Sequence, residues 1–569
     1  MEARGRHEER IGQAECEKCC RTRLEDYPNW SKSRVGSTKL LGAGWEIPSS
    51  RPSGAYPHRR IRYMECMNAL RCSAFALIIA GLSAGPAAIA QPAHAMIETD
   101  PALDLLLTRE AQRMLDAHQF RTSRSTQVVV NASVDLERQR LIIRFGPGML
   151  PAEDDHSLEE IEQYIRSSLE FYALRSGAGE VQSEVLYEGK PYWEHFPIMP
   201  AAPAQSSDAS TVNSVLVSAS HGLVRVHPGL EWEFQRPARN GVQEDLITVG
   251  YAEELQQLME ERGGRVVHRA RRNQGDLHPE SKRAWSEMSS RYHLRDLLPD
   301  RPDIWNHFAN STATDREVSD DIRARPYYAN HLGAAGLFSI HTNADASGAA
   351  RGTRVYYHPR KPSDQRLADM VLCYMRELIT AQEEYADFPV AAAGAAASHG
   401  ENGFAQMPSV VVEVAFHTNP TDAAALLDPA FRTASMKGVE KGYRLFREGE
   451  GCVPLKVEPI QSIELSAGNS RRVDIVFEGH PRYPIDLVTT NVGCPPGWTC
   501  TDGKVHIAAP DEKPSQIIMR CENAGSAPLF WNTQVVDADG VKSPPVRHRV
   551  QCIRRPGGLS VAATGLAGS

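Results

Sequence analysis

The run Val410-Val-Val-Glu-Val-Ala-Phe416 places a single carboxylate, Glu413, inside what reads as a buried strand. A central parallel strand is normally apolar throughout. An unpaired charge there is costly unless a metal, a partner or a reaction needs it. Two further segments have the same shape. Ser214-Val-Leu-Val-Ser-Ala-Ser-His221-Gly222 is a strand ending in a histidine, and Leu337-Phe-Ser-Ile-His341-Thr-Asn343 is another. In open α/β sheets ligands collect outside the carboxyl ends of the strands. The expected fold around these segments is therefore an α/β sheet with flanking helices and a site at that edge.

One histidine at a strand end is most often a satisfied structural residue. Two histidines and a glutamate, each closing an apolar strand, carry more weight. Glu244 joins them. After Asn240-Gly-Val-Gln-Glu244-Asp245, residues Leu246, Ile247, Tyr251, Leu255, Leu258 and Met259 recur at helical spacing until Gly263-Gly264. Glu244 thus opens a helix, where complementing the helix dipole would by itself account for a carboxylate. Its closeness in sequence to His221 makes ligation an equal alternative. Zinc favours imidazole nitrogen and carboxylate oxygen, and catalytic zinc keeps three protein ligands. His221, Glu244 and His341 are the expected ligands, Zn2+ the expected cofactor, and Glu413 the expected general base.

In this order the motifs resemble the zinc-dependent N-acetylmuramoyl-L-alanine amidases of the type 3 class. The matching pieces are a strand then His-Gly, Gly-x-x-Glu-Asp opening a helix, Ser-Ile-His-Thr-Asn-Ala, and Val-Glu-Val-Ala-Phe-x-x-Asn-Pro-x-Asp before Leu426-Leu427. Gly352-Thr-Arg-Val-Tyr-Tyr-His358 is similar to the family's strand after the second histidine. The resemblance spans roughly 213–448 and implies cleavage of the amide between N-acetylmuramic acid and L-alanine in peptidoglycan, with peptidoglycan as the partner. Departures lie in the loops. Ser218-Ala-Ser220 replaces the family's Asp-Pro-Gly, Gly222-Leu223 its Gly-Gly, Thr342 its usual Ala, and His417 an aliphatic residue. His417 is read as polar surface, with substrate contact as the alternative. A zinc carboxypeptidase acting on stem peptides is the rival enzyme; it needs an arginine for the terminal carboxylate, and Arg325 and Arg354 are its candidates. A non-catalytic peptidoglycan-binding module is the rival outside enzymes, set against the presence of all four site residues.

Charge and cysteine usage bear on compartment. The formal net charge is -8, and residues 1–63 carry an excess of positive charge, so the rest is more acidic still. That argues against a nucleic-acid partner. Met67-Asn-Ala-Leu-Arg71 and the apolar stretch to Ala80 precede Ala88-Ile-Ala90 and Ala93-His-Ala95, both small-x-small cleavage patterns; this reads as a signal peptide. The expectation is translation from Met64 or Met67, a mature protein that is periplasmic or secreted, and no stable membrane span after cleavage. Of the 11 cysteines, Cys373, Cys452, Cys494, Cys500, Cys521 and Cys552 follow the cleavage patterns. They read as disulfides of an oxidising compartment, with the pairing open.

The expected domain plan is an extension or start-site artefact at 1–63 and a signal peptide at 64–95. A small α+β module at 96–200 and an Ala/Pro/Ser linker at 201–211 follow. The catalytic α/β domain covers 212–450, a disulfide-tied β-sandwich-like domain 451–556, and a frayed tail 557–569. A long insertion at 269–326 carries Trp285, Tyr292 and Trp305. Related division amidases place a regulatory helix over the metal site, so this insertion is read either as a counterpart of that lid, its aromatics packed over the cleft and an activator protein acting on it, or equally as a decorated surface excursion.

Overall fold

The computed structural model describes residues 100–118, 128–151, 158–197, 213–229, 231–272, 275–510 and 515–554. The signal peptide, the segment before it, the linker and the tail lie outside the described residues.

The small module begins with helix α1 (Pro101–Ala117), whose N-terminal N–H groups are capped by the Asp100 carboxylate. Strands β1 (Val130–Asp135) and β2 (Arg140–Phe145) pair antiparallel. Helix α2 (Glu159–Ala173) leads to β3 (Gln182–Tyr187), which pairs parallel with β2. Leu107, Met114, Ile143, Ile161, Ile165 and Leu169 bury one face of each helix on this three-stranded sheet. Two helices on a three-stranded sheet make this an α+β module, as expected.

The second region is the α/β sheet. Strand β4 (Ser214–Ala219) is followed by a hairpin of β5 (Leu223–Arg225) and β6 (Trp232–Phe234). Helix α3 (Glu244–Gly263) ends at Gly264, left-handed at φ 58°, and β7 (Val266–Arg269) follows. The insertion forms α4 (Ser290–Leu297) and part of α5 (Arg316–Leu332). Next come β8 (Leu337–Asn343), β9 (Arg354–Tyr357), α6 (Pro362–Thr380), the short β10 (Ala395–Ala396) and β11 (Ser409–Phe416). Helices α7 (Pro420–Leu427) and α8 (Pro429–Glu448) close the domain. The strand order is β10-β9-β11-β8-β4-β7. β4, β8 and β11 run parallel at its centre and are buried along their whole length, whereas β9 is antiparallel to β11. Packing α3, α6 and α8 on the sheet gives the main core, with Leu255, Val371, Met375, Val412 and Val439 inside it.

The insertion reaches the cleft through Ile322, but its three large aromatics do not line it. Trp285 and Tyr292 are buried with Leu223 and Met288 against the hairpin, and Trp305 packs on the cluster of Leu294, Ile304 and Tyr328. Burying three large rings in two satellite cores is worth more to the chain than leaving them over a wet cleft. Packing of these three rings over the cleft, which the lid reading needs, is corrected accordingly.

Residues 456–553 form a β-rich domain. A five-stranded sheet contains Ile463–Ser466, Ile485–Asn491, Gly503–Ile507, Leu529–Val536 and Val546–Ile553, and a ribbon pairs Ser470–Asp474 with Gln516–Arg520. Ile517 and Met519 of the ribbon share a core with Leu487, Trp531 and Val535 of the sheet. The disulfides are Cys373–Cys452, Cys494–Cys500 and Cys521–Cys552. The first ties α6 to the segment after α8, and Arg262 and Lys437 both reach Asp539 across the domain boundary at 2.8 Å. Among the described residues no helix is long and apolar enough to cross a membrane.

Candidate metal and catalytic site

Parallel pairing brings the strand ends together. His341 and Glu413 are direct register partners on β8 and β11, and Ala219 at the end of β4 pairs with Ile340. Two residues beyond β4 the chain turns sharply. His221 adopts φ 53°, a left-handed conformation that side chains other than glycine seldom take, and Gly222 follows at φ 112°. A Cβ at Gly222 would lie 2.7 Å from the Ser289 backbone nitrogen, so the backbone of the insertion permits only glycine here. Asp245 fixes the turn by accepting from Gly222 N at 2.8 Å and from Gln235 N at 2.9 Å. Arg271, fully buried, donates to the carbonyls of Ser220, Asp245, Ser286 and Met288 and binds the insertion to the same loop.

His221, Glu244 and His341 converge as the sequence predicts. Glu244 Oε1 lies 3.2 Å from His221 Nε2 and 3.4 Å from His341 Nδ1, and the two rings stand perpendicular at 4.9 Å. Nitrogen and oxygen donors held about 2.0–2.1 Å from a tetrahedral zinc lie about 3.3 Å from each other, so the spacing fits a zinc shell. The outer nitrogens also have partners of the kind metal-bound histidines keep. His221 Nδ1 meets Gln235 Oε1 at 3.3 Å, and His341 Nε2 meets Glu401 Oε1 at 3.1 Å. The Thr342 backbone N–H donates to Glu244 Oε1 at 3.0 Å.

Glu413 is buried beside this set. Its Oε1 accepts from the Gln163 side-chain amide at 3.0 Å, and its Oε2 is buried without a hydrogen-bond partner among the described residues. Burial pushes the Glu413 carboxyl up to about 8; Glu244 and Glu401 add to the rise, and His341 opposes it. For His341 burial acts downward, but Glu244 and Glu401 outweigh it and hold the imidazole at about 9 in the chain by itself. His221 goes the other way, lowered by burial and then by the nearby Arg236 guanidinium. Three ligand groups facing one point, with an orphaned carboxylate oxygen lining the same cleft, are an arrangement a bound cation neutralises.

Several site residues were not singled out from sequence. Glu401, in the turn Gly400–Gly403, carries no strand-end signature; it is buried between His341 and Arg325, whose Nη1 donates to it at 2.8 Å. Arg325 also pairs with Asp321 and is fully buried, so it is committed to structure and not free to grip a substrate carboxylate as the carboxypeptidase reading requires. Arg354 does not line the cleft, whereas Arg236 does. His417 is buried rather than on the surface, with its Nδ1 2.8 Å from Thr342 Oγ1. This corrects the surface reading: His417 lies in the turn just after β11, held inward by its backbone N–H to the Asn343 carbonyl and by Thr342. The cleft is a cavity of about 820 Å³ whose far wall is built by α1 and α2 of the small module. Helix α2 is pinned there. Ser167 Oγ donates to Asn343 Oδ1 at 3.1 Å, His399 Nε2 meets Gln163 Oε1 at 2.9 Å, and Glu159 accepts from the Gly400 N–H.

Residues 215–443 match the family described as N-acetylmuramoyl-L-alanine amidase. A comparison with curated proteins finds no match. Among solved structures, the chain is similar to the catalytic domain of CwlV, an N-acetylmuramoyl-L-alanine amidase from Bacillus (Paenibacillus) polymyxa var. colistinus. Identity is 16%, covering 42% of this chain and 98% of that one, with a TM-score of 0.28. The CwlD amidase from Clostridioides difficile, solved in complex with the GerS lipoprotein, shares 16% identity over 42% of this chain and 100% of that one, with a TM-score of 0.29. The amidase Ami1 from Mycobacterium smegmatis shares 17% identity over 42% of this chain and 97% of that one, with a TM-score of 0.28.

Proposed function

We propose that the domain at 215–443, which belongs to the N-acetylmuramoyl-L-alanine amidase family, cleaves the amide between the lactyl group of N-acetylmuramic acid and L-alanine with a zinc ion held by His221, Glu244 and His341. The observation that carries this reading is Glu413 Oε2, a buried and unpaired carboxylate oxygen beside three converging ligand atoms. When bound there, zinc supplies Lewis-acid chemistry, making a water acidic near neutral pH and polarising the carbonyl.

The chain's own residues do the rest. Glu413 takes the proton of the attacking water on Oε2 and passes it to the departing amine of L-alanine. Glu413 Oε2, buried and without a hydrogen-bond partner among the described residues, is open to receive that proton and release it again. Glu401 holds the His341 ring through Nε2, and Gln235 holds His221 through Nδ1, so both imidazoles present a fixed nitrogen to the centre. The half-closed cavity limits bulk water around the reacting groups. Periplasmic or secreted action is part of the proposal, supported by the disulfides and by the location of peptidoglycan. An activator protein acting on the insertion at 269–326, which reaches the cleft through Ile322, is likewise retained as a proposal.

The test is to digest purified sacculi and identify the new amino group by mass spectrometry. A free L-alanine amine on the stem peptide supports the amidase. A new amine or carboxylate further along the stem overturns it in favour of a peptidase.

A further inference from the structure

Arg236 lies on the loop between β6 and α3, next to Gln235, whose side chain meets His221. Its backbone N–H donates to Asp245 Oδ2 at 3.2 Å, so the loop that sets the first metal-ligand histidine also sets this arginine. The side chain is only 17% exposed and lines the cleft. Its carboxylate partner is Glu160 of α2, at 3.0 Å from Nη1, and that residue comes from the small module rather than from the domain that owns the cleft. One helical turn on, Gln163 of the same helix donates its side-chain amide to Glu413 Oε1. Helix α2 therefore presents a carboxylate to the arginine of the cleft and a carboxamide to the general base.

An amide substrate with an acidic stem must do the same two things. Its scissile –CO–NH– has to meet Glu413, as the –CO–NH2 of Gln163 does. Any free carboxylate beyond L-alanine enters a cleft already lined by Glu244, Glu401 and Glu413, and like charges there repel it unless a cation receives it. Of the arginines lining the cleft, Arg236 is the one tied by its loop to His221, and a guanidinium offers a planar fork suited to carboxylate.

Resting on the amidase reading, we infer that Arg236 recognises a free carboxylate on the stem-peptide residue after L-alanine, and that Glu160 and Gln163 occupy the carboxylate and scissile-amide positions as an internal substrate mimic. Glu160 then competes with the substrate for Arg236. A bare salt bridge between modules would hold α2 in place without reading the substrate.

The experiment uses the full secreted chain loaded with zinc and two soluble muramoyl peptides, one with that carboxylate free and one with it as a primary amide. Wild type should prefer the acid. Arg236→Gln should lower kcat/KM on the acid by about 10–100-fold, the size of a charge-assisted hydrogen bond, and change the amide substrate little. Arg236→Lys should restore part of the preference. Glu160→Gln, at a half-exposed position that a folded chain tolerates, should lower KM for the acid with kcat nearly unchanged. Equal losses on both substrates in Arg236→Gln, or an unchanged KM in Glu160→Gln, would overturn the inference while leaving the amidase standing. Wild type that cleaves neither peptide would instead sink the amidase reading itself.

Discussion

Replacing Glu401 separates holding a metal ligand from being one. Its Oε1 receives two donors, His341 Nε2 at 3.1 Å and Arg325 Nη1 at 2.8 Å, and all three groups are buried. Glu401→Ala removes the acceptor that both share. His341 then loses the contact that orients its ring, and loss of such an outer partner typically costs about 10–100-fold in metal affinity. Arg325 keeps Asp321, so the chain is not left with a wholly unpaired buried charge. The full cost of breaking a buried pair is about 3–5 kcal/mol, and the retained partner brings the expectation down to roughly 2–3 kcal/mol. Glu401→Gln preserves shape and an accepting oxygen but removes the charge, so about a tenfold loss of affinity is expected with a smaller stability change. Chelator competition gives the metal dissociation constant, and urea unfolding of the metal-free chain gives the stability. Wild-type metal affinity in folded Glu401→Ala would refute the orienting role. Complete loss of metal in Glu401→Gln would make Glu401 a ligand instead.

Other consequences follow from packing and charge. Trp285 is buried with Leu223, Met288 and Tyr292 and stacks under Arg272 at 4.0 Å; Trp285→Ala should cost about 3–5 kcal/mol by chemical denaturation and should not raise turnover, as removing a lid would. Burial pushes the Asp539 carboxyl up, but Arg262 and Lys437 outweigh it and hold it at about 2. A depressed folded-state value means this stability is fully present above the unfolded value of 3.8 and is lost as pH falls through about 2. Asp539→Asn should therefore be less stable than wild type at pH 6, with the gap in Tm closing toward pH 2. The Cys373–Cys452 bridge closes a separation of 79 residues, so the double serine variant should lose about 2–4.5 kcal/mol in urea unfolding if chain entropy sets its effect.

Much of the centre was legible because buried parallel strands leave few places for polar residues. His341 and Glu413 stand out inside apolar runs, and register pairing then makes them neighbours. His221 and Glu244 follow from a strand end and a helix start. What escaped has no local signature. Glu401 sits in a one-turn helix among glycines and becomes part of the site only because Arg325, distant in sequence, packs beneath it. Arg236 lies in an irregular loop whose shape Asp245 sets through backbone hydrogen bonds. The insertion stayed open between two readings because length and aromatic content describe a lid and a satellite core equally well. Only packing distinguishes them, and it buries the three aromatics in satellite cores while α2 lines the cleft. His417 was misplaced because polarity just after a strand usually marks the surface, whereas here Thr342 satisfies it inside.

The central claim is the division of labour between three ligands and one base. Glu413→Gln tests it when metal content and turnover are measured on the same sample. The account predicts one zinc per chain, as in wild type, with turnover down by about 10²–10⁴-fold, since the amide keeps the shape but cannot take the proton of the water. Zinc lost together with activity, or zinc and activity both retained, would contradict it.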